Sequence, residues 1–244
     1  MQNKSIMNIV LLGYGKMGEQ IEIAALERKH KIAAYVDDKK DWEKYSEKIR
    51  SADVAIDFSV PDVVVENIYK CFEMNMPVVV GTTGWYNRLE EIKQACLQGE
   101  QSFIYASNFS LGVNLFFALN KTLARLMNEY DDFDVSIEEI HHTAKKDSPS
   151  GTAITLANDI IKNLSRKESW INEMNDNTSE LSIKSERLSN NIGTHIVTYS
   201  SVLDVIEIKH SALSRKGFAK GAVRAAEWLI DKKGFFTIND MLNL

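Results

Sequence analysis

The first apolar run, Met7-Asn-Ile-Val-Leu-Leu12, breaks directly into Gly13-Tyr-Gly-Lys-Met-Gly18. Apolar side chains then recur at Ile21, Ala24, Ala25 and Leu26 with near-helical spacing, so a strand, a glycine turn and a helix follow one another. The alternation continues, with strands predicted over 31–36, 53–59, 77–80 and 102–106 and helices over 61–75 and 89–97. This rhythm predicts an α/β fold, a Rossmann-type doubly wound parallel sheet that offers ligands the carboxyl ends of its strands. After residue 110 the pattern changes. A long apolar-striped helix over 111–130, a strand over 134–140 and a helix over 152–164 lead to two alternating strands, 194–200 and 205–210, joined as a hairpin. A last helix is predicted over 218–232. The polar stretch 165–191, rich in Asn, Ser and Glu, reads as a long surface excursion. The second part is therefore an α+β domain built on a mixed open sheet.

Strand, G-x-G-x-x-G turn and helix together form the context in which that motif binds a dinucleotide. The first glycine permits the tight turn, the second lets backbone approach the pyrophosphate, and the third allows close packing. The candidate contacts are Gly13, Tyr14, Gly15, Lys16, Met17 and Gly18. Asp37 ends the second strand 19 residues after Gly18, where an acidic side chain meets the ribose hydroxyls. Lys39 and Lys40 follow closely and either meet a 2′-phosphate or are solvated loop lysines, so NADH and NADPH both stay open. Gly81-Thr82-Thr83-Gly84 and Ser107-Asn108-Phe109 fall at further strand ends and are candidates for the nicotinamide end.

The densest chemistry lies in Glu139-Ile-His-His-Thr-Ala-Lys-Lys-Asp-Ser-Pro-Ser-Gly-Thr152. His141 and His142 can exchange a proton near neutral pH, and Lys145 supplies a fixed cation. A helix starting near 148–150 leaves the Gly151 and Thr152 N–H groups free for a carboxylate or phosphate. A small anionic substrate is expected. His195 and His210 fall in predicted strands and read as structural.

Composition narrows the setting. The 244 residues carry a formal charge of −5, which argues against a nucleic-acid partner. No apolar run reaches the roughly 20 residues that cross a bilayer, and Met1 to Met7 lacks a secretory h-region. Cys71 and Cys96 sit in predicted helices without metal-ligand spacing, so no metal is expected and the reading is cytoplasmic.

These motifs resemble those of the 4-hydroxy-tetrahydrodipicolinate reductase (dihydrodipicolinate reductase) family. The match runs through Gly13-Tyr-Gly-Lys-Met-Gly18, Gly81-Thr-Thr-Gly84, Ala106-Ser-Asn-Phe-Ser110, Glu139-Ile-His-His, Lys145-Lys-Asp-Ser-Pro-Ser-Gly-Thr152 and Gly217-Phe-Ala-Lys-Gly-Ala-Val223, in family order. The resemblance implies His141 as general acid and Lys145 as its catalytic partner. It also implies substrate-carboxylate contacts from His142, Lys145, Gly151 and Thr152. It implies a dicarboxylate substrate, NADH or NADPH as cofactor, and a homotetramer. Its domain plan gives a discontinuous dinucleotide-binding domain, 1–108 and 214–244, around a substrate-binding and oligomerisation domain, 109–213. Two departures stand out: the region between Leu164 and Arg215 is short, and Ile192 replaces a proline before Gly193-Thr-His195. The competing readings are an aspartate or homoserine dehydrogenase type, which would lack the histidine–lysine block, and a non-catalytic NAD(H) sensor.

Overall fold

The computed structural model describes residues 5–214 and 216–244; Met1–Lys4, part of the stretch searched for a leader, and Arg215, inside the second domain boundary, lie outside the described residues. In chain order the elements are β1 (Asn8–Leu12), α1 (Lys16–Glu27), β2 (Lys31–Val36), α2 (Lys39–Lys44), α3 (Ser46–Arg50), β3 (Val54–Asp57), α4 (Pro61–Glu73), β4 (Val78–Val80), α5 (Leu89–Gln98), β5 (Ser102–Tyr105) and α6 (Leu111–Met127). They continue as β6 (Asp134–His141), α7 (Gly151–Asn163), β7 (Ser169–Ile171), β8 (Glu180–Arg187), β9 (Thr194–Ser200), β10 (Val205–Ser211), α8 (Lys216–Leu229), β11 (Gly234–Thr237) and α9 (Ile238–Leu242). Two compact units result, Met1–Leu111 with Lys216–Leu244, and Gly112–Arg215.

In the first unit the strands run β2-β1-β3-β4-β5-β11, all parallel. Period-two alternation divides their side chains between two cores. Ile9, Leu11, Ile56, Val79 and Ile104 face α1 and α8, whereas Val10, Leu12, Ala55, Val78, Val80 and Phe103 face α4 and α5. Helices on both faces explain why β3 and β4 are buried at every residue and, Asp57 aside, read as continuous apolar runs. Burying each such Val, Leu or Ile contributes roughly 1.5–3 kcal/mol. Strand order reverses between β1 and β3, and this switch point opens a crevice at their carboxyl ends. Helix α8 approaches so closely that a Cβ on Gly221 would lie 1.7 Å from the Phe109 carbonyl oxygen. Only glycine fits there.

The second unit holds a sheet ordered β10-β9-β6-β8-β7. Its β6–β8 and β7–β8 pairs are parallel, and its β6–β9 and β9–β10 pairs antiparallel, so the sheet is mixed. Helices α6 and α7 cover one face through Phe116, Ala124, Leu156 and Ile160, packed on Val135, Ile137, Ile183 and Val197.

Three sequence expectations are corrected. The polar stretch 165–191 is not a structureless excursion: it supplies β7 and β8, and β8 is an inner strand. Its alternation passes from Leu181 and Ile183 to Ser185 and Arg187, so the polar half hid the strand period. Lys39 and Lys40 are not loop lysines; they open α2, where the Asp38 side chain caps the Lys40 and Asp41 N–H groups. Strand β11, at the sheet edge, and the short helices α2, α3 and α9 were not predicted. Among the described residues no helix is long and apolar enough to cross a membrane.

Candidate active site

At the mouth of the first sheet, Gly13 turns the chain at φ +86°, and a Cβ there would lie 2.6 Å from the Phe58 carbonyl oxygen. Its N–H donates to the Val36 carbonyl at 2.8 Å, tying the turn to β2. A Cβ on Gly18 would meet the Gly13 carbonyl oxygen at 2.6 Å, whereas one on Gly15 would meet nothing within 4 Å. The first and third glycines are thus required by packing, and the second faces open space. Gly15 is the N-cap of α1 and provides no side-chain cap, leaving the N–H groups of the first turn exposed to an anion. The Asp37 carboxylate accepts the Tyr14 N–H at 2.5 Å, at the end of β2 where a ribose is read. This cradle, uncapped helix and carboxylate together fit a dinucleotide.

The neighbouring loops are held by Asp57, fully buried at the end of β3. It accepts hydrogen bonds from Ser59 N–H and Oγ, from Asn67 Nδ2 and from Thr82 Oγ1, the last at 2.7 Å. Burial pushes its carboxyl above the usual range, and these donors oppose the shift. The Thr82 hydroxyl is therefore occupied, while Thr83 and Ser107 are exposed. Gly81 abuts the Phe58 ring, and Gly84 takes φ +85° against Pro61. Asn108 accepts the Ser110 N–H, and the Phe109 ring is core while its carbonyl oxygen packs against Gly221. Met17 also packs against the core. Lys16 is exposed beside Gly15.

In the second unit, strand β6 turns a core into a site. Val135, Ile137, Glu139 and His141 share one buried face, apolar for two residues and then ionisable for two. Neighbouring strands follow suit, β8 with Ser185 and Arg187 and β9 with His195. Glu139 is fully buried and accepts the Ser150 N–H on both oxygens, at 3.1 and 3.0 Å. Ser185 Oγ donates to it at 2.9 Å, and the Arg187 guanidinium lies 3.4 Å away. Burial would raise the Glu139 carboxyl, but His195, Ser150 and Ser185 outweigh it and hold the group well below the usual range.

The His141 ring is buried with Nδ1 3.5 Å from Glu139, an electrostatic contact rather than a formed hydrogen bond. It meets the His195 ring edge-on at 5.0 Å. Burial, aided by His195, Lys145 and Arg187 and opposed by Glu139, lowers its pKa to about 4. A Cβ on Gly193 would lie 3.1 Å from His141 Nε2, so this glycine keeps that side of the ring clear. His195 Nε2 pairs with Ser150 Oγ at 3.0 Å, and the same oxygen caps α7 at the Ala153 N–H. The N–H groups of Gly151 and Thr152 carry no hydrogen bond among the described residues, and the space above Gly151 is open. Lys145 grips both oxygens of Asp147 at 2.8 Å. His142 lies past the end of β6, half-buried, with its carbonyl accepting the Lys145 N–H.

The polar atoms of Glu139, His141 and His195 lie within 4.8 Å of one another, a spacing a metal ion can also use. Here Arg187, Ser150 and Ser185 already surround the carboxylate, and the cluster reads as a charge-assisted network. Sequence reasoning set His195 down as structural and assigned no role to Ser185 or Arg187. The structure brings all three to Glu139. His210 does stay apart from that carboxylate, stacked on Phe116 at 6.0 Å.

Residues 7–109 match the family described as "Dihydrodipicolinate reductase, N-terminus" and residues 112–242 match "Dihydrodipicolinate reductase, C-terminus". The chain belongs to the dihydrodipicolinate reductase family. A 4-hydroxy-tetrahydrodipicolinate reductase of Christiangramia forsetii is 51% identical over 238 residues, covering 97% of this chain and 98% of the relative. One from Rickettsia bellii is 35% identical, covering 96% and 94%. The fold of a dipicolinate-bound dihydrodipicolinate reductase from Paenisporosarcina sp. TG-14 superposes with a TM-score of 0.78 at 22% identity, over 97% of this chain and all of that one. As a member of the dihydrodipicolinate reductase family the chain is an oxidoreductase that uses a pyridine nucleotide, and the glycine cradle fits one.

Proposed function

We propose that the chain reduces 4-hydroxy-tetrahydrodipicolinate to tetrahydrodipicolinate on the diaminopimelate route to lysine, with His141 as proton donor and Lys145 as its charge partner. The observation that carries this reading is the buried Glu139–His141–His195 cluster beside the N-terminus of α7, where Ser150 caps the Ala153 N–H and the Gly151 and Thr152 N–H groups stay open. The substrate is a cyclic imine with two carboxylates; a hydride and a proton are taken up and water leaves. The bound dinucleotide supplies the hydride. Gly13 to Gly18 hold its pyrophosphate, Asp37 its ribose, and the loops at Gly81 to Gly84 and Ser107 to Phe109 its nicotinamide end. The N–H groups of Gly151 and Thr152 take one substrate carboxylate, where the helix dipole contributes roughly 0.3–2 kcal/mol. His142 and Lys145 approach the other polar groups of the substrate.

NADH is the preferred cofactor. The Asp37 carboxylate occupies the ribose end, and Lys39 is turned to Glu66 at 3.2 Å rather than left free for a 2′-phosphate. Oxidation of each nucleotide at 340 nm tests both points, with substrate generated in place from pyruvate and aspartate semialdehyde by the preceding synthase. Synthase-dependent turnover, at least about tenfold more efficient with NADH, is expected from one missing or repelled charge contact. Turnover without the synthase, or none with it, would reject the substrate assignment.

The unit Gly112–Arg215 binds the substrate and also builds a homotetramer through the sheet face opposite α6 and α7. That face carries exposed Asp134, Lys184, Glu207 and Lys209 at alternate strand positions. Light scattering should give four times the chain mass of 27.6 kDa. The two cysteines are buried free thiols, which suits the reduced cytoplasm.

A further inference from the structure

Glu139 is an ion at a fully buried position, which is costly unless charge-assisted partners surround it. Its partners are all functional neighbours. Ser150 reaches it from the cap of α7, Ser185 and Arg187 from β8, and His195 from β9, while His141 lies two residues on along the same face of β6. Lys145 bears on His141 from the loop that follows β6. A single carboxylate therefore connects the imidazole to the helix end that presents the Gly151 and Thr152 N–H groups.

We infer that Glu139 is the positioning residue of His141, its fixed charge turning Nδ1 inward, leaving Nε2 on the Gly193 side, and letting the ring take up a proton when a dicarboxylate binds. The inference rests on the reading of His141 as proton donor. In the free protein, burial together with His195, Lys145 and Arg187 holds the ring neutral at pH 7, and Glu139 opposes them. A dianionic ligand in the same unit offsets Lys145 and Arg187. The attraction to Glu139 then prevails, and the proton arrives with the substrate. The acid is thus charged only in the complex.

Glu139→Gln keeps the shape and a carbonyl for the Ser150 N–H but removes the charge. Loss of the anion lowers the imidazolium pKa, so the alkaline limb of kcat against pH should move down by at least about one unit. At pH 7.5 kcat should fall about 10- to 100-fold while the substrate KM stays within about threefold, the split expected of a group acting in the reaction step. Glu139→Asp should return the limb towards its original position. Lower thermal stability with an unmoved limb would make Glu139 merely structural and overturn the inference. A second measurement covers the case in which Glu139→Gln does not fold. Calorimetric titration of the wild type with pyridine-2,6-dicarboxylate at pH 7, in buffers of different ionisation enthalpy, should show uptake approaching one proton per site, lost in His141→Ala. No uptake, or uptake that survives in His141→Ala, would also overturn it. Turnover by His141→Ala would instead defeat the proton-donor reading itself. An inactive His141→Ala with an unshifted Glu139→Gln would defeat this inference alone.

Discussion

His141→Ala is expected to lower kcat by about 10²–10⁴-fold, the contribution of a positioned general acid. The fold should survive the change. Glu139 keeps its Ser150 and Ser185 donors, and the apolar core of the second unit, from Phe116 to Tyr199, does not include the ring. Thermal unfolding within a few degrees of the wild type, measured beside the coupled assay, would separate lost chemistry from lost structure. In the wild type, kcat/KM reports the free enzyme. With His141 near 4 there, the protonated form dwindles as pH rises above that value, so kcat/KM should decline towards alkaline pH. Near-wild-type turnover by His141→Ala would move the proton to another donor, His195 first among the neighbouring residues.

The parts of the fold legible in the sequence are those set by local pattern. The run from β1 through Gly13 to α1 carries its own explanation: a left-handed φ at Gly13 and a backbone collision at Gly18 demand glycine. The β6 period was equally plain, since Val135 and Ile137 mark the face on which Glu139 and His141 continue. Strand β8 escaped because only Leu181 and Ile183 are apolar, while Ser185 and Arg187 are spent on a carboxylate 46 and 48 residues earlier. Glu139 itself lay inside the most informative motif, yet its partners beyond β6 come from three separate segments, the cap of α7, β8 and β9. No spacing rule connects them. Asp57 was hidden for the same reason: it read as part of a buried strand, and its partners Asn67 and Thr82 converge only when β3, α4 and β4 are assembled. Local periodicity therefore yields elements and glycine turns, whereas a buried charge is understood only from the donors that surround it.

Lys145→Met should lower kcat/KM by about 10²–10³-fold, and the division between kcat and KM is the instructive part. Lys145 already holds both oxygens of Asp147 at 2.8 Å, and that contact keeps the Asp147 carboxyl below its usual range. A substrate carboxylate would have to share or replace an existing anion, so little is gained in the ground state. A gain remains where negative charge grows during the reaction, because Asp147 cannot follow it. The loss should therefore fall mainly on kcat, with the substrate KM rising by no more than about threefold. Asp147→Asn supplies the counterpart. Removing the competing anion frees the ammonium for the substrate, so KM should fall in that variant while kcat changes little. If Lys145→Met instead raises KM and leaves kcat intact, the ammonium serves ground-state binding of a carboxylate. If it changes neither, Lys145 has no part in the site, and the Gly151 and Thr152 N–H groups with Arg187 must carry the substrate's charge.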